Sequence, residues 1–342
     1  MRLKNGIPRR YRNFCILLSL MIVSLVFAAC SDSANRSRNL VVYTSVPESF
    51  IKDICAEFSK LNDTIKIKYF RSDSETIVTK FRTESAAGVS SADIVWIADF
   101  ALGESLKKAD LLLRYESPES SKILPQLKDP DGYYCAARLL SMVLVYNTDR
   151  LPNPPHSYED LLDPSYRGKI GIADPGQSGA SLYTITALSQ SPKFGPGFIE
   201  AMQKNGLIVV KDNETLIKSI VEGSVWLGLG LDYLVRSTNV SAPGAALDYM
   251  IPNEGAILIP SPIALAAGSA NPDAGKAFID YILSKRGQRF ISSQGVAPVR
   301  LDVIPPQGIS TITQIRILET DPSTILEAED RFARTFGDFF KR

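Results

Sequence analysis

The chain has 342 residues, with 38 Lys and Arg against 37 Asp and Glu, 45% hydrophobic residues and one histidine, His156. Such a composition fits a folded, water-soluble protein with room for two domains; it excludes a disordered chain, a collagen-like repeat and a multi-span membrane protein. One imidazole cannot build a His-rich zinc site, and His156 reads as a solvated residue of the Pro-rich loop NPPHSYED.

Residues 1–29 hold five bases and no acid, which leaves 33 bases against 37 acids and a formal charge of −4 in the rest. A mildly acidic body has no electrostatic footprint for nucleic acid. Arg9-Arg10-Tyr11-Arg12 is followed by an uncharged run of 14 residues, Phe14 to Phe27, and then by Ala28-Ala29-Cys30. A basic start, a short apolar stretch and small residues before a cleavage point predict an export signal. The run is shorter than the roughly 20 residues a membrane span needs. Ala28-Ala29-Cys30 resembles a bacterial lipobox, with Phe27 where Leu is usual. The expectation is a lipid on Cys30, an anchor at the outer face of the cytoplasmic membrane, and a polar tether over 30–39. The alternative is a soluble exported protein cleaved near Ala29. Cys55 and Cys135 are expected as two buried free thiols, with a disulfide as the alternative.

From Leu40 short apolar runs alternate with helical patterns, as in an α/β protein with largely parallel sheets. Leu40–Thr44 predicts a strand, and Ser45-x-x-Glu48 a capping box. A helix then carries Phe50, Ile51, Ile54, Cys55, Phe58 and Leu61 on one face. Ile65–Phe70 predicts a strand, Ser74–Ser85 a helix and Ala92–Ala98 a third strand that ends on Asp99. Gly132–Tyr146 is a long, mostly apolar run. Beyond the Pro-rich loop a second series begins: strand Lys169–Ala173, helix Gly179–Ser189, strand Leu207–Lys211, helix Glu214–Glu222, strand Ser224–Leu231. Ala256–Ala267 is another long apolar run. Asn271-Pro272 then opens a helix that turns Ala274, Ala277, Phe278, Tyr281 and Ile282 inward. Two α/β bodies joined by two long extended segments predict two lobes with a two-strand hinge: 40–146 plus 256–342, and 147–255.

No phosphate-binding P-loop, zinc-protease helix motif, paired-cysteine motif or nucleophile elbow occurs. Gly228-Leu229-Gly230 lacks the third glycine of a dinucleotide turn. No nucleophile–base pair is recognisable, so no catalytic residue and no cofactor is assigned. In parallel α/β sheets, ligands collect beyond the carboxyl ends of strands, where helix N-termini present free amides. Thr44-Ser45 occupies one such place and Ser178-Gly179-Ala180-Ser181 another. The competing reading of these residues is plain N-capping. Asp99 and Asp232-Tyr233 end strands at the same expected edge; there Asp99 caps the next helix unless it meets a ligand, and Tyr233 otherwise packs in a core. Arg138, in the long connecting run, meets either an anion or a carboxylate. Trp96 and Trp226 read as core.

Several segments, in order along the chain, resemble bacterial ABC-importer solute-binding proteins of the group that takes ferric ion, phosphosugars and 2-aminoethylphosphonate. They are Asp93-Ile94-Val95-Trp96-Ile97-Ala98-Asp99, Val145-Tyr146-Asn147-Thr148, the stretch from Tyr158 to Lys169, Pro260-Ser261-Pro262-Ile263, and Asn271 through Arg300 with Gly295-Val296-Ala297-Pro298-Val299-Arg300. The resemblance implies a two-lobed, type II-like, monomeric periplasmic binding protein that closes on a solute and delivers it to a permease driven by an ATPase. For the solute it is divided. Organic phosphate or phosphonate binders look similar at Ser178–Ser181. Ferric-ion members often have a histidine after the first strand, where this chain has Val46-Pro47-Glu48. They also have a tyrosine pair where this chain has Asp232-Tyr233. Tyr183 matches a further tyrosine of some ferric members, so Tyr183 and Tyr233 are the metal candidates under that reading.

Overall fold

The computed structural model describes residues 38–305, 308–309, 311–319, 324–325 and 327–328. The expected export signal and Cys30 lie outside the described residues. The expected tether ends two residues early, because Arg38 and Asn39 already pair with Ile65 and Lys66 as the start of the first strand.

β1 (Arg38–Thr44), β2 (Ile65–Arg71) and β3 (Ile94–Trp96) are parallel, linked by α1 (Glu48–Ser59) and α2 (Ser74–Ala86). Phe50, Ile51, Ile54, Cys55 and Phe58 line the buried face of α1 as predicted. Leu61 does not; it falls beyond the helix end and is 46% exposed. The predicted capping box is also absent. Ser45 donates its amide to the Trp96 carbonyl, Val46 is fully buried and donates its amide to the Thr44 hydroxyl, and α1 begins at Glu48 behind Pro47 with no side-chain cap. α3 (Phe100–Lys108) leads into the short β4 (Leu112–Leu113).

The first long apolar run becomes β5 (Tyr134–Tyr146), buried along its whole length except at Tyr146. The second series follows: β6 (Ile170–Ala173), α4 (Gly179–Gln190), α5 (Pro196–Lys204), β7 (Ile208–Val210), α6 (Asn213–Val221), β8 (Leu227–Leu231), α7 (Asp232–Ser241) and β9 (Asp248–Met250). The second long run is β10 (Ile257–Ala266), followed by α8 (Pro272–Leu283) and α9 (Lys285–Ser293). β4, α5, α7, β9 and α9 are additions to the sequence reading. Trp96 is fully buried, but Trp226 precedes β8 and is only partly buried, with the Lys169 ammonium 5.0 Å from its ring centroid. Cys55 and Cys135 are free and buried, and burial pushes both thiols up to about 12.

All ten strands form one sheet with the path β2-β1-β3-β10-β5-β8-β6-β7. β5 pairs antiparallel with β10 over Tyr134–Met142 and with β8 over Met142–Tyr146, so it bridges the parallel groups at the two ends. Strands covered on both faces read as continuous apolar runs, which is why β5 and β10 stood out in the sequence. Gly228-Leu229-Gly230 has a packing explanation. A Cβ on Gly228 would stand 2.6 Å from the Gly171 carbonyl oxygen, so the strand runs too close to β6 for a side chain.

Candidate functional site

A cleft of about 220 Å³ opens above the sheet, between the β1–β3 side and the β6–β8 side. Each flank is built the same way: strand, short turn, helix N-terminus. After β1 come Ser45 and Pro47; after β2, Arg71 to Ser74; after β6, Gln177 to Ala180; after β7, Lys211 to Glu214; after β8, Tyr233 in the first turn of α7. Arg138 and Leu140 of β5 lie between the flanks. The N-termini of α1, α2, α4 and α6 therefore border one space. Each such end carries about half a positive charge and orphan amides, which suits an anion.

The deep part is polar and under-bonded. Arg138 is 3% exposed; its Nε donates to the Ser261 hydroxyl at 3.3 Å, while Nη1 has no partner among the described residues. Ser45 Oγ and Asn213 Oδ1, also at the cleft, are likewise buried without a partner. Burial disfavours the charged form of Arg138, with neighbouring Tyr233 partly offsetting this. Burial raises the Tyr233 hydroxyl to about 12, against the attraction of Arg138 and together with the charges of Glu214 and Asp232. A buried polar group left unbonded costs about 1–3 kcal/mol, so these groups are held ready for an incoming partner.

The mouth carries opposed charges. Arg71 and Lys211 are exposed, and so is Glu214. Asp73 caps α2 through the Thr76 amide at 2.7 Å, and Asp212 caps α6 through the Thr215 amide at 2.8 Å. Burial opposes ionisation of Asp212, but the Thr215 bonds, Lys211 and then Arg71 outweigh it and hold the carboxyl below its usual range. Arg71 lies on the β1–β3 side and Asp212 on the other, so the two flanks attract across the mouth.

Of the residues expected from the sequence, Ser45, Arg138, Ser178, Gly179, Ala180 and Tyr233 line this cleft. Four others do not. Thr44 donates its hydroxyl to the Trp96 carbonyl at 2.9 Å and is fully buried. Asp99 caps α3, with Oδ1 accepting the Leu102 amide at 3.0 Å. Ser181 gives its amide to Ser178 Oγ, and its own hydroxyl is buried outside the cleft lining. Asp232 pairs with Arg236 at 2.9 Å, one helical turn along α7. That spacing of four residues was legible in the sequence as an ion-pair signal. Tyr183 is 2% exposed inside α4 and does not reach the cleft lining. His156 is an exposed loop residue. The residues missed, Arg71 to Ser74 and Lys211 to Glu214, follow the same rule of strand carboxyl ends, applied to β2 and β7. Among the described residues no group of three or more His, Cys, Asp or Glu is placed to hold a metal ion.

A cleft between two α/β halves, crossed beneath by two long strands and edged by helix N-termini, defines a two-lobed solute-binding protein. The family model for bacterial extracellular solute-binding proteins matches residues 53–315, and the chain belongs to that family. Its members bind solutes outside the cytoplasm and are not enzymes. The chain is similar to an Fe(3+)-binding periplasmic protein of Serratia marcescens, 23% identical over 80% of this chain and 82% of the relative. It is also similar to a putative 2-aminoethylphosphonate-binding periplasmic protein of Salmonella typhimurium, 27% identical over 58% of this chain and 60% of the relative. Among solved structures, the periplasmic binding protein AfuA from Actinobacillus pleuropneumoniae, with fructose-6-phosphate bound, superimposes with a TM-score of 0.80 at 23% identity, covering 89% of this chain and 98% of that one. The last likeness carries the fold.

Proposed function

We propose that this chain is the lipid-anchored receptor of an ABC importer. In this reading it captures a small organic phosphate or phosphonate in the cleft and delivers it to a permease and its ATPase. The lobes are 40–146 with 256–342, and 147–255, hinged on β5 and β10. The observation that carries the choice of solute is Arg138: a buried guanidinium with an unbonded Nη1, set between converging helix N-termini. The amides of Gly179 and Ala180 have no acceptor among the described residues, and with Arg138 they supply donors for phosphoryl oxygens. Glu214, rather than the ion-paired Asp232, then takes an amine or hydroxyls at the other end of the solute.

Ferric iron is the second reading, favoured by the Serratia relative and by Tyr233 at the cleft. It is the weaker one, because Tyr183 stands away from the cleft lining and the Arg138 charge opposes a cation. Mass spectrometry of the solute retained on purification tests the choice: a phosphorus-containing anion is expected, and stoichiometric iron overturns it. The anchor rests on Ala28-Ala29-Cys30. Cys30→Ser should abolish lipid labelling, and persistent labelling of the variant refutes the anchor. In this reading the chain acts as a monomer.

A further inference from the structure

Gly179 opens α4, and its backbone does not require glycine, since its φ lies outside the left-handed region. What it lacks room for is a side chain. A Cβ built there would stand 3.0 Å from Ala98 Cβ, 3.1 Å from Asp99 Oδ2 and 3.4 Å from Ser74 Oγ. All three neighbours belong to the other flank of the cleft. Ala98 and Asp99 follow β3 and Ser74 begins α2, whereas α4 follows β6. Three strands, β10, β5 and β8, separate β3 from β6 in the sheet. The contact is therefore not packing between sheet neighbours; it exists only where the two flanks lean together over the strands that join them.

We propose that the missing side chain at residue 179 sets how far the cleft closes, with Ala98 as the surface it closes against. The inference rests on the solute-binding reading, since only a cleft that opens and shuts needs such a stop. Ala98 Cβ is fixed to the backbone and cannot swing aside, unlike the end of a flexible side chain. A larger residue at 179 therefore holds the flanks apart. It also withdraws the amides of Gly179 and Ala180, on one flank, from Ser45, on the other. The solute then bridges a wider gap with the same donors. Residue 179 acts through the position of the flanks and needs no contact of its own side chain with the solute.

The test reads distance and affinity separately. Spin labels at Lys68→Cys and Lys218→Cys, exposed positions in β2 and α6, report the span between flanks; Cys55 and Cys135 are buried and stay unlabelled, and Cys15 and Cys30 are replaced by Ser throughout. In the ligand-free full chain, Gly179→Val should move the shortest distance outward, with Gly179→Ala moving it less. Affinity for a phosphoryl probe, 2-aminoethylphosphonate or fructose-6-phosphate, should fall about ten- to hundredfold in Gly179→Val, the usual cost of overpacking. Ala98→Gly added to Gly179→Ala should restore both readouts, and urea midpoints should match the parent throughout. An unchanged shortest distance in Gly179→Val overturns the inference. So does a lowered urea midpoint that Ala98→Gly leaves unrepaired, which marks residue 179 as structural only. If neither probe alters distances in the parent chain, the solute reading fails, while the ligand-free shift still decides the role of residue 179.

Discussion

Arg138 on β5 and Ser261 on β10 are register partners, and the Nε of the first donates to the hydroxyl of the second at 3.3 Å. Ser261 in turn donates its hydroxyl to the Ile97 carbonyl at 2.6 Å, just after β3. The register of β5 against β10 shifts just after this point, between Ser261 and Pro262. One hydroxyl thus ties the buried guanidinium to both long strands and to the edge of the cleft. Arg138 also lies over the Phe50 ring, 5.7 Å from its centroid, so its position is set by three elements at once.

Arg138→Gln should lower affinity for a phosphoryl probe about ten- to hundredfold, the loss of about 1.5–3 kcal/mol from a hydrogen bond to a charged group. Arg138→Met should do the same and leave the ligand-free protein as stable as the parent or more so, because a buried, incompletely bonded charge is removed. Calorimetry and urea unfolding read the two effects; a destabilised Arg138→Met would show that the guanidinium serves the fold.

Ser261→Ala removes the acceptor that orients Arg138 Nε. Affinity should fall about tenfold, near 1.4 kcal/mol, through the dissociation rate. An unchanged affinity would mean that Phe50 and the strand alone suffice to place the guanidinium.

Asp99 gives a pH dependence. Burial, against the Leu102 amide bond and with help from Glu75, raises its carboxyl from 3.8 to about 7. An acid raised on folding contributes most below its unfolded value, and that contribution is lost as pH rises through the folded one. Stability should therefore decline between about pH 4 and pH 7 through this group. Asp99→Asn keeps the cap on α3 and should flatten the decline in a series of urea midpoints; an identical pH profile in the variant refutes the assignment.

Asp232→Asn separates the ion pair from the site. Arg236 keeps the Gly295 carbonyl and the Tyr249 hydroxyl, so the change should cost only about 1–3 kcal/mol in unfolding. Solute affinity should stay that of the parent, whereas Glu214→Gln should weaken a solute that carries an amine. Equal losses in both variants would restore Asp232 to the binding set.

Tyrosinate coordinated to ferric iron absorbs visible light. The protein mixed with ferric citrate should show no visible band beyond that of ferric citrate alone, and an added band that disappears in Tyr233→Phe would establish the iron reading.

The amino-acid sequence by itself determined the repeated strand–helix units, the two long strands buried on both faces, and the carboxyl-end turns at Ser45 and at Ser178 to Ala180. These follow from local periodicity and turn chemistry, which short stretches of chain carry in full. It also marked Arg138 and Tyr233, because a charge in a buried run and a polar residue at a strand end are visible without coordinates of anything else. Tertiary structure decided the rest. Asp232 is spent on Arg236, Asp99 on its helix cap and Thr44 on Trp96, while Asn213 and Glu214 come to the cleft from a turn that reads as ordinary capping. The physical reason is that a polar side chain takes the nearest partner that burial leaves it, and which partner is nearest depends on how the two flanks meet. The contact of Gly179 with Ala98 belongs to the same class: glycine at a helix start is unremarkable in one dimension, and only the approach of the opposite flank makes its missing Cβ matter.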